Sequence, residues 1–132
     1  MKRFFLSAAA AAMVVAPASA SAKSALEGRW KNGHMEIVIA PCGAALCGTV
    51  VKASSRQQAK AERGTGTELL GARLITNIRP SGANLYRANV YLADRGINAT
   101  GTIRQSSPDR LNVRGCVLAI ICKSNNWDRI SD

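Results

Sequence analysis

The sequence predicts an all-β fold: a single small antiparallel barrel of about eight strands, with one short helix or loop insertion near residues 54–64. Two observations predict the strands. Short runs rich in Val, Ile, Leu and Thr recur along the chain, and Gly, Pro, Asn and Asp separate them at regular intervals. A third observation is an apolar alternation with a period of two, which is typical of a half-buried strand. Up-and-down closure would leave no strand edge exposed.

The first hairpin is predicted around Asn32-Gly33, a dipeptide that favours a tight type I′ turn. Residues 28–31 precede this turn, and residues 34–40 follow it with alternating polarity. A second turn is expected at Pro41–Leu46 and a third break at Pro80-Ser81-Gly82. The remaining strands are predicted at residues 47–51, 70–79, 85–92, 97–105, 111–117 and 121–130. The side chains expected to point into the barrel are Met35, Ile37, Ile39, Val50, Leu74, Val90, Leu92, Ile103 and Val113.

The stretch between the third and fourth strands has helical features. Ser54 is placed as an N-cap, Gln57 completes a capping box, and Gly64 can end the helix. Four basic residues fall near one face: Lys52, Arg56, Lys60 and Arg63. They form either a stripe that contacts an anionic surface or, because the stretch has no apolar face, the solvated side of a helix outside the core.

The start of the chain predicts export. Met1-Lys2-Arg3 is basic, an uncharged apolar stretch extends to Val15, and small-x-small sites end at Ala20 and Ala22. This order is typical of a secretory signal peptide, and the apolar stretch is shorter than the ~20 residues of a spanning helix. We therefore expect a signal peptide at residues 1–22, cleaved after Ala20 or Ala22, and a single barrel domain at 23–132. Loss of Lys2 and Arg3 lowers the formal net charge from +10 to +8, and the mature domain is expected to be periplasmic or secreted.

Four cysteines lie in the predicted mature domain: Cys42, Cys47, Cys116 and Cys122. In a small exported domain, an even number of cysteines predicts disulfides. We favour Cys42–Cys47 and Cys116–Cys122, because each pair flanks a short turn-like stretch, although four cysteines allow three connectivities. A four-cysteine zinc site is the alternative, but zinc sites usually have closer spacings.

Several short motifs occur in a fixed order along the predicted mature domain: Gly28-Arg29-Trp30, Cys42 with Leu46-Cys47-Gly48, Leu111 to Cys116, Ile121-Cys122 and Trp127-Asp128-Arg129. In these motifs the chain resembles the bacterial exported family called domain of unknown function 2147. The basic segment 54–63 departs from the acidic loop that many members have there. The resemblance implies a fold and a location outside the cytoplasm, rather than an activity.

A looser similarity connects the Gly-x-Trp start to lipocalin-like barrels, in which a basic residue of the last strand packs over that tryptophan. The similarity implies that Gly28, Trp30, Trp127 and Arg129 close one end of the barrel, with the Arg129 guanidinium stacked on the Trp30 indole.

No catalytic, metal-binding or cofactor-binding constellation is evident. His34, the one histidine, and the acids Glu36 and Asp128 are expected to be outward strand residues. The positive charge attracts anionic surfaces, but the chain lacks the interleaved aromatic residues of single-strand nucleic-acid binders. We therefore expect a non-enzymatic binding or interaction module of the cell envelope, whose partners are anionic envelope components. The alternatives are a lipocalin-like carrier of a small apolar ligand and a small exported hydrolase.

We expect Trp30→Ala to lower the free energy of unfolding by roughly 3–5 kcal/mol, the range for truncating a buried large aromatic side chain. Thermal or denaturant unfolding followed by circular dichroism measures the change. A melting curve that hardly moves would show that Trp30 does not close the barrel.

Overall fold

The computed structural model describes residues 10–13, 23–118 and 120–132. Within these ranges the chain forms β1 (Gly28–Asn32), β2 (Met35–Cys42), β3 (Ala45–Lys52), α1 (Ser55–Thr65), β4 (Arg73–Gly82), β5 (Leu85–Leu92), β6 (Ile97–Ser107), β7 (Arg110–Val117) and β8 (Ile121–Ser131). The strands pair in chain order and β8 pairs with β1, so the antiparallel sheet is a closed barrel. The predicted fold class is confirmed. Apart from residues 10–13, the predicted signal peptide lies outside the described residues.

Because the strands run alternately up and down, their connections fall at two ends. The β2–β3, β4–β5 and β6–β7 turns lie with residues 23–27 at one end, which we call the floor. The β1–β2 turn, α1, the β5–β6 turn and the β7–β8 turn lie at the other end, which we call the mouth. Two expected turns are shorter than predicted: β2 continues to Cys42, and β4 continues through Pro80 to Gly82. Cross-strand pairing therefore overrides the local turn preference of proline at both places.

The core lies inside the barrel, where paired strands bring apolar side chains together. Ile37 faces Val50 and Ile103 faces Val113 across neighbouring strands. The pattern in β4 differs from the simple alternation, since both Ile75 and Ile78 are buried. A bulge between Thr76 and Arg79 explains this, because an inserted residue changes which side chains point inward.

Arg129 and Trp30 close the floor. The Arg129 guanidinium carbon lies 4.4 Å from the centre of the Trp30 ring. Its Nη2 and Nη1 donate hydrogen bonds to the carbonyl oxygens of Ala25 and Glu27, at 2.6 and 2.8 Å. The Trp30 Nε1 donates to the carbonyl oxygen of Leu26, at 2.9 Å, and the Leu26 and Trp30 side chains are fully buried. Three residues of the N-terminal segment are thus held against the barrel by one cation and one indole.

Gly28 is required by the same arrangement. Its φ of +145° is a conformation that L-residues rarely adopt. A Cβ at this position would lie 2.5 Å from Arg129 Nη1 and 2.8 Å from the carbonyl oxygen of Ser131. The glycine therefore leaves the space that the guanidinium occupies.

The structure pairs Cys42 with Cys47 and Cys116 with Cys122, as the sequence favours. The first bond joins the ends of β2 and β3 at the floor, and the second joins β7 and β8 at the mouth. Each disulfide closes a short loop and constrains one hairpin, rather than linking distant strands.

Gly101 and Gly115 face each other in β6 and β7 but differ in the space around them. A Cβ at Gly101 would lie 2.7 Å from Val90 Cγ2, and the β-branched valine has little rotamer freedom to move away. A Cβ at Gly115 would lie 3.8 Å from the Ala99 Cβ, which is an ordinary contact.

We expect Gly101→Ala to destabilise the barrel by about 1–3 kcal/mol, as is typical of overpacking. Gly115→Ala is the matched control and should be neutral or slightly stabilising, because alanine restricts the unfolded chain. Denaturant unfolding of both variants measures the difference. Equal effects of the two substitutions would contradict the packing argument.

Candidate functional site

Helix α1 is defined by capping residues at both ends. The Ser54 side chain accepts a hydrogen bond from the Gln57 backbone N–H at 3.1 Å, and the Gln57 side chain accepts one from the Ser54 N–H at 2.9 Å. This is the capping box expected from the sequence. The helix ends at Gly66, whose φ of +67° is left-handed, and not at Gly64 as expected.

Gly64 instead brings the helix close to the β5–β6 turn. A Cβ at Gly64 would overlap the carbonyl oxygen of Asp94, so only glycine allows this approach. Lys60 Nζ lies 3.4 Å from Asp94 Oδ2, and the Thr65 hydroxyl donates to the carbonyl oxygen of Ala93 at 2.6 Å. With Ala61 buried as well, the helix docks across the mouth through small residues. Most of α1 is solvated, as one of the two alternatives predicted, but the helix does not lie wholly outside the core: close backbone approach lets Ala61 pack there without a large apolar face.

An apolar cavity lies beneath α1, with a volume of about 270 Å³. Side chains of β2, β4, β5, β7 and β8 form most of its wall: Met35, Ile37, Leu74, Ile75, Val90, Leu92, Val113 and Trp127. Its polar groups come mainly from the helix, the β5–β6 turn and β8: Gln57, Lys60, Asp94 and Asn125. The barrel is therefore filled at the floor and hollow toward the mouth.

A second hollow of about 230 Å³ continues from this cavity toward the β7–β8 turn. The two share part of their lining, including Val90, Leu92 and Val113. The second hollow adds Val117 and Ile121, together with basic side chains at its rim: Arg95 and Lys123. The mouth thus combines an apolar interior with a positively charged rim.

The four basic residues predicted near one face have different surroundings. Lys60 pairs with Asp94, and Lys52 Nζ lies 3.4 Å from Glu36 Oε2. Arg56 and Arg63 are exposed on α1. Two of the four positive charges are thus compensated within the protein. Contact of this set with an anionic surface is a proposal.

Glu36 lies on the outer side of β2, as expected, but is only 7% exposed. The cause is its two basic neighbours: Arg29 Nε donates to Glu36 Oε1 at 2.9 Å, and Lys52 pairs with the other carboxylate oxygen. Burial raises the pKa of the Glu36 carboxyl, but the hydrogen bonds and charges of Arg29 and Lys52 outweigh it and hold the pKa below its usual value of 4.5. The ionised Glu36 carboxylate therefore forms ion pairs with Arg29 and Lys52 on the outer surface of the barrel.

The histidine and the acidic residue that could take part in catalysis or metal binding lie on the surface. His34 is exposed in the β1–β2 turn, and Asp128 is exposed on β8. Within residues 10–13, 23–118 and 120–132, no three His, Cys, Asp or Glu side chains converge as metal ligands would. In the same part of the chain, no helix is both long and apolar enough to cross a membrane.

A closed eight-stranded antiparallel barrel with a sealed floor and an apolar cavity at its mouth is a lipocalin-like architecture. The chain belongs to the family described as uncharacterized protein conserved in bacteria (DUF2147), whose model matches residues 28–129. The fold is similar to that of protein HP1028 from the human pathogen Helicobacter pylori, which is described as belonging to the lipocalin family. The two have a TM-score of 0.60 and 15% sequence identity, over 81% of this chain and 84% of that one. No curated protein is significantly similar to this sequence.

Sequence reasoning missed the polar residues that gather at the mouth. In the sequence, Asp94 and Arg95 stand out only as turn residues, and Lys123 and Asn125 only as part of a strand. Their grouping depends on barrel closure, which brings α1 and the β5–β6 turn together with β8. One signal was available for the β7–β8 turn: apolar residues between two cysteines, where turns usually have polar residues.

We expect Glu36→Gln to reduce stability at neutral pH, with a smaller effect in acid. The pKa of Glu36 is lower in the folded than in the unfolded chain, so its stabilisation is complete above the unfolded value of about 4.5. It is lost as the pH falls through the lower, folded pKa. Melting temperatures of wild type and variant at pH 7 and pH 3 measure this, with exposed Glu68→Gln as the control. If Glu36→Gln lowered the melting temperature by the same amount at pH 7 and pH 3, the assignment would be contradicted.

Proposed function

We propose that the protein is a non-enzymatic binding module that holds a small apolar ligand in the mouth cavity. The observation that supports this best is the apolar hollow of about 270 Å³ inside a closed barrel. Leu26, Trp30 and Arg129 block the floor, so a ligand would enter and leave at the mouth. Ligand sites are typically concave, mainly apolar and supplied with a few polar groups, as this one is.

The cavity lining indicates the class of ligand. Most of its wall is aliphatic, and aliphatic side chains cannot satisfy buried polar groups of a ligand. Lys60, Arg95 and Lys123 lie around the second hollow, with Asp94 as their acidic neighbour. The arrangement favours an apolar body inside the barrel and a polar or anionic end at the rim.

The size of the cavity restricts the ligand further. An apolar protein cavity of ~150 Å³ is large enough for benzene. A volume of about 270 Å³ therefore fits a body of about two small rings or a short branched or linear chain. Larger ligands would extend into the second hollow or past α1.

We further propose that the protein works in the cell envelope after export. The basic, apolar and small-residue order at the start of the chain supports export. Two disulfides with no free cysteine among the described residues suit an oxidising compartment. The net positive charge suits contact with anionic envelope components, and exposed Arg56 and Arg63 are candidates for that contact.

The proposal predicts that protein purified from its native compartment carries a bound small molecule. Native mass spectrometry should show a mass excess over the denatured chain, and organic extraction should release the compound. A wild-type protein with no mass excess, and with no saturable binding of a polarity-sensitive apolar dye, would overturn the carrier function.

Val113→Phe tests whether the ligand occupies the barrel interior. Val113 lines both hollows, so a larger side chain there should reduce ligand or dye occupancy by about tenfold or more. Arg114→Phe is the matched control, because the neighbouring side chain in β7 is exposed and points outward. If Val113→Phe is too unstable, Gly115→Val narrows the second hollow at a position with room for a Cβ.

A further inference from the structure

The β7–β8 turn exposes apolar side chains to solvent. Leu118 and Ile120 are each 83% exposed, and Ile121 is 65% exposed. We call these three residues the apolar tip. Side chains this exposed add almost nothing to the stability of the fold, because an apolar group stabilises a protein only when it is removed from water. An exposed group of large aliphatic residues on one projecting hairpin is typical of a contact surface.

The backbone of the apolar tip points to the same conclusion. Leu118 has a φ of +55°, a left-handed conformation that favours glycine or asparagine. A leucine there is therefore unfavourable for the backbone and gains no burial in compensation. An unfavourable residue at an exposed turn supports a functional role for its side chain.

Basic groups line the hollow at the base of the apolar tip. Val117 and Ile121 line the second hollow together with Lys60, Arg95 and Lys123. The acid in that lining, Asp94, is paired with Lys60. Arg95 and Lys123 thus add positive charge beside the aliphatic side chains, in a protein whose overall charge is also positive.

We propose that the apolar tip inserts into an anionic lipid bilayer, with the barrel mouth facing the membrane surface. Aliphatic side chains enter the interface between headgroups and acyl chains, while Lys and Arg remain with anionic headgroups. The Cys116–Cys122 bond closes the base of the hairpin, so less conformational freedom is lost on binding. A bilayer fits a small apolar tip beside basic side chains, because insertion into lipid requires no complementary pocket on the partner. This docking does not require that the cavity hold a ligand.

Co-sedimentation of the purified mature domain with vesicles tests the proposal. We expect binding to vesicles of phosphatidylcholine and phosphatidylglycerol at 3:1 to be at least about tenfold stronger than to phosphatidylcholine alone. Binding should weaken in 0.5 M NaCl, because salt screens the headgroup charges. Wild-type protein that does not sediment with anionic vesicles would overturn the proposal.

Substitutions separate the apolar and the electrostatic contributions. Leu118→Asn combined with Ile120→Ser, which we call the polar-tip variant, should weaken vesicle binding by about tenfold or more. The variant should fold as well as wild type, since asparagine suits the left-handed backbone. Arg95→Gln and Lys123→Gln should each weaken binding by about fivefold. The matched controls are Ile130→Ser, 46% exposed near the floor, and Arg104→Gln, and neither should change binding.

Leu118→Trp reports directly on insertion. Its emission should shift to shorter wavelength with anionic vesicles and be quenched by brominated acyl chains, whereas buried Trp30 and Trp127 change little. Vesicle binding by the polar-tip variant that equals that of wild type would overturn the proposal. Concentration-dependent dimerisation of wild type that the polar-tip variant lacks, without any vesicle binding, would assign the tip to a second copy of the chain instead.

Discussion

The Arg129 guanidinium is the group on which the barrel floor depends. It stacks on Trp30 and donates hydrogen bonds to the carbonyl oxygens of Ala25 and Glu27. A planar cation can satisfy an aromatic face and separate acceptors at once, which a lysine ammonium cannot do with the same geometry. Gly28 leaves room for it, and the neighbouring Leu26 is fully buried. Because the floor is sealed by these side chains, the space left in the barrel lies at the opposite end.

The two ends therefore have different physical roles. At the floor, polar backbone groups are satisfied by Arg129 and by Gln105, whose side chain donates to the carbonyl oxygens of Ala25 and Pro108. At the mouth, α1 is held by Lys60–Asp94 and by the Thr65 hydroxyl, with Gly64 allowing the contact. Exposed ion pairs of this kind contribute little to stability. Helix α1 is therefore held at the mouth mainly by a few polar contacts, whereas residues 25–27 are held at the floor by Arg129 and by the buried Leu26 and Trp30.

Much of the fold could be predicted from the sequence, whereas most of the mouth could not. Turn residues and alternating strands predicted the barrel, and the capping box located α1, because these signals are local. The bulge that buries both Ile75 and Ile78 depends on pairing with β5, which no local pattern reveals. Glu36 was predicted as an outward acid, and its burial comes from the long side chains of Arg29 and Lys52. Likewise, Asp94 and Lys123 meet around one hollow only because the sheet closes.

The hydrogen bonds of Arg129 also constrain the order in which the chain can fold. The guanidinium joins residues separated by 102 and 104 positions, nearly the two ends of the described chain. During synthesis, β1 is made early but cannot pair with β8 until β8 has also been made. Until then the first seven strands would form an open sheet with unpaired edges, which invite association with other chains. The floor can therefore be sealed only after β8 has paired with β1, and loss of Arg129 would remove the contacts that hold residues 25–27 there.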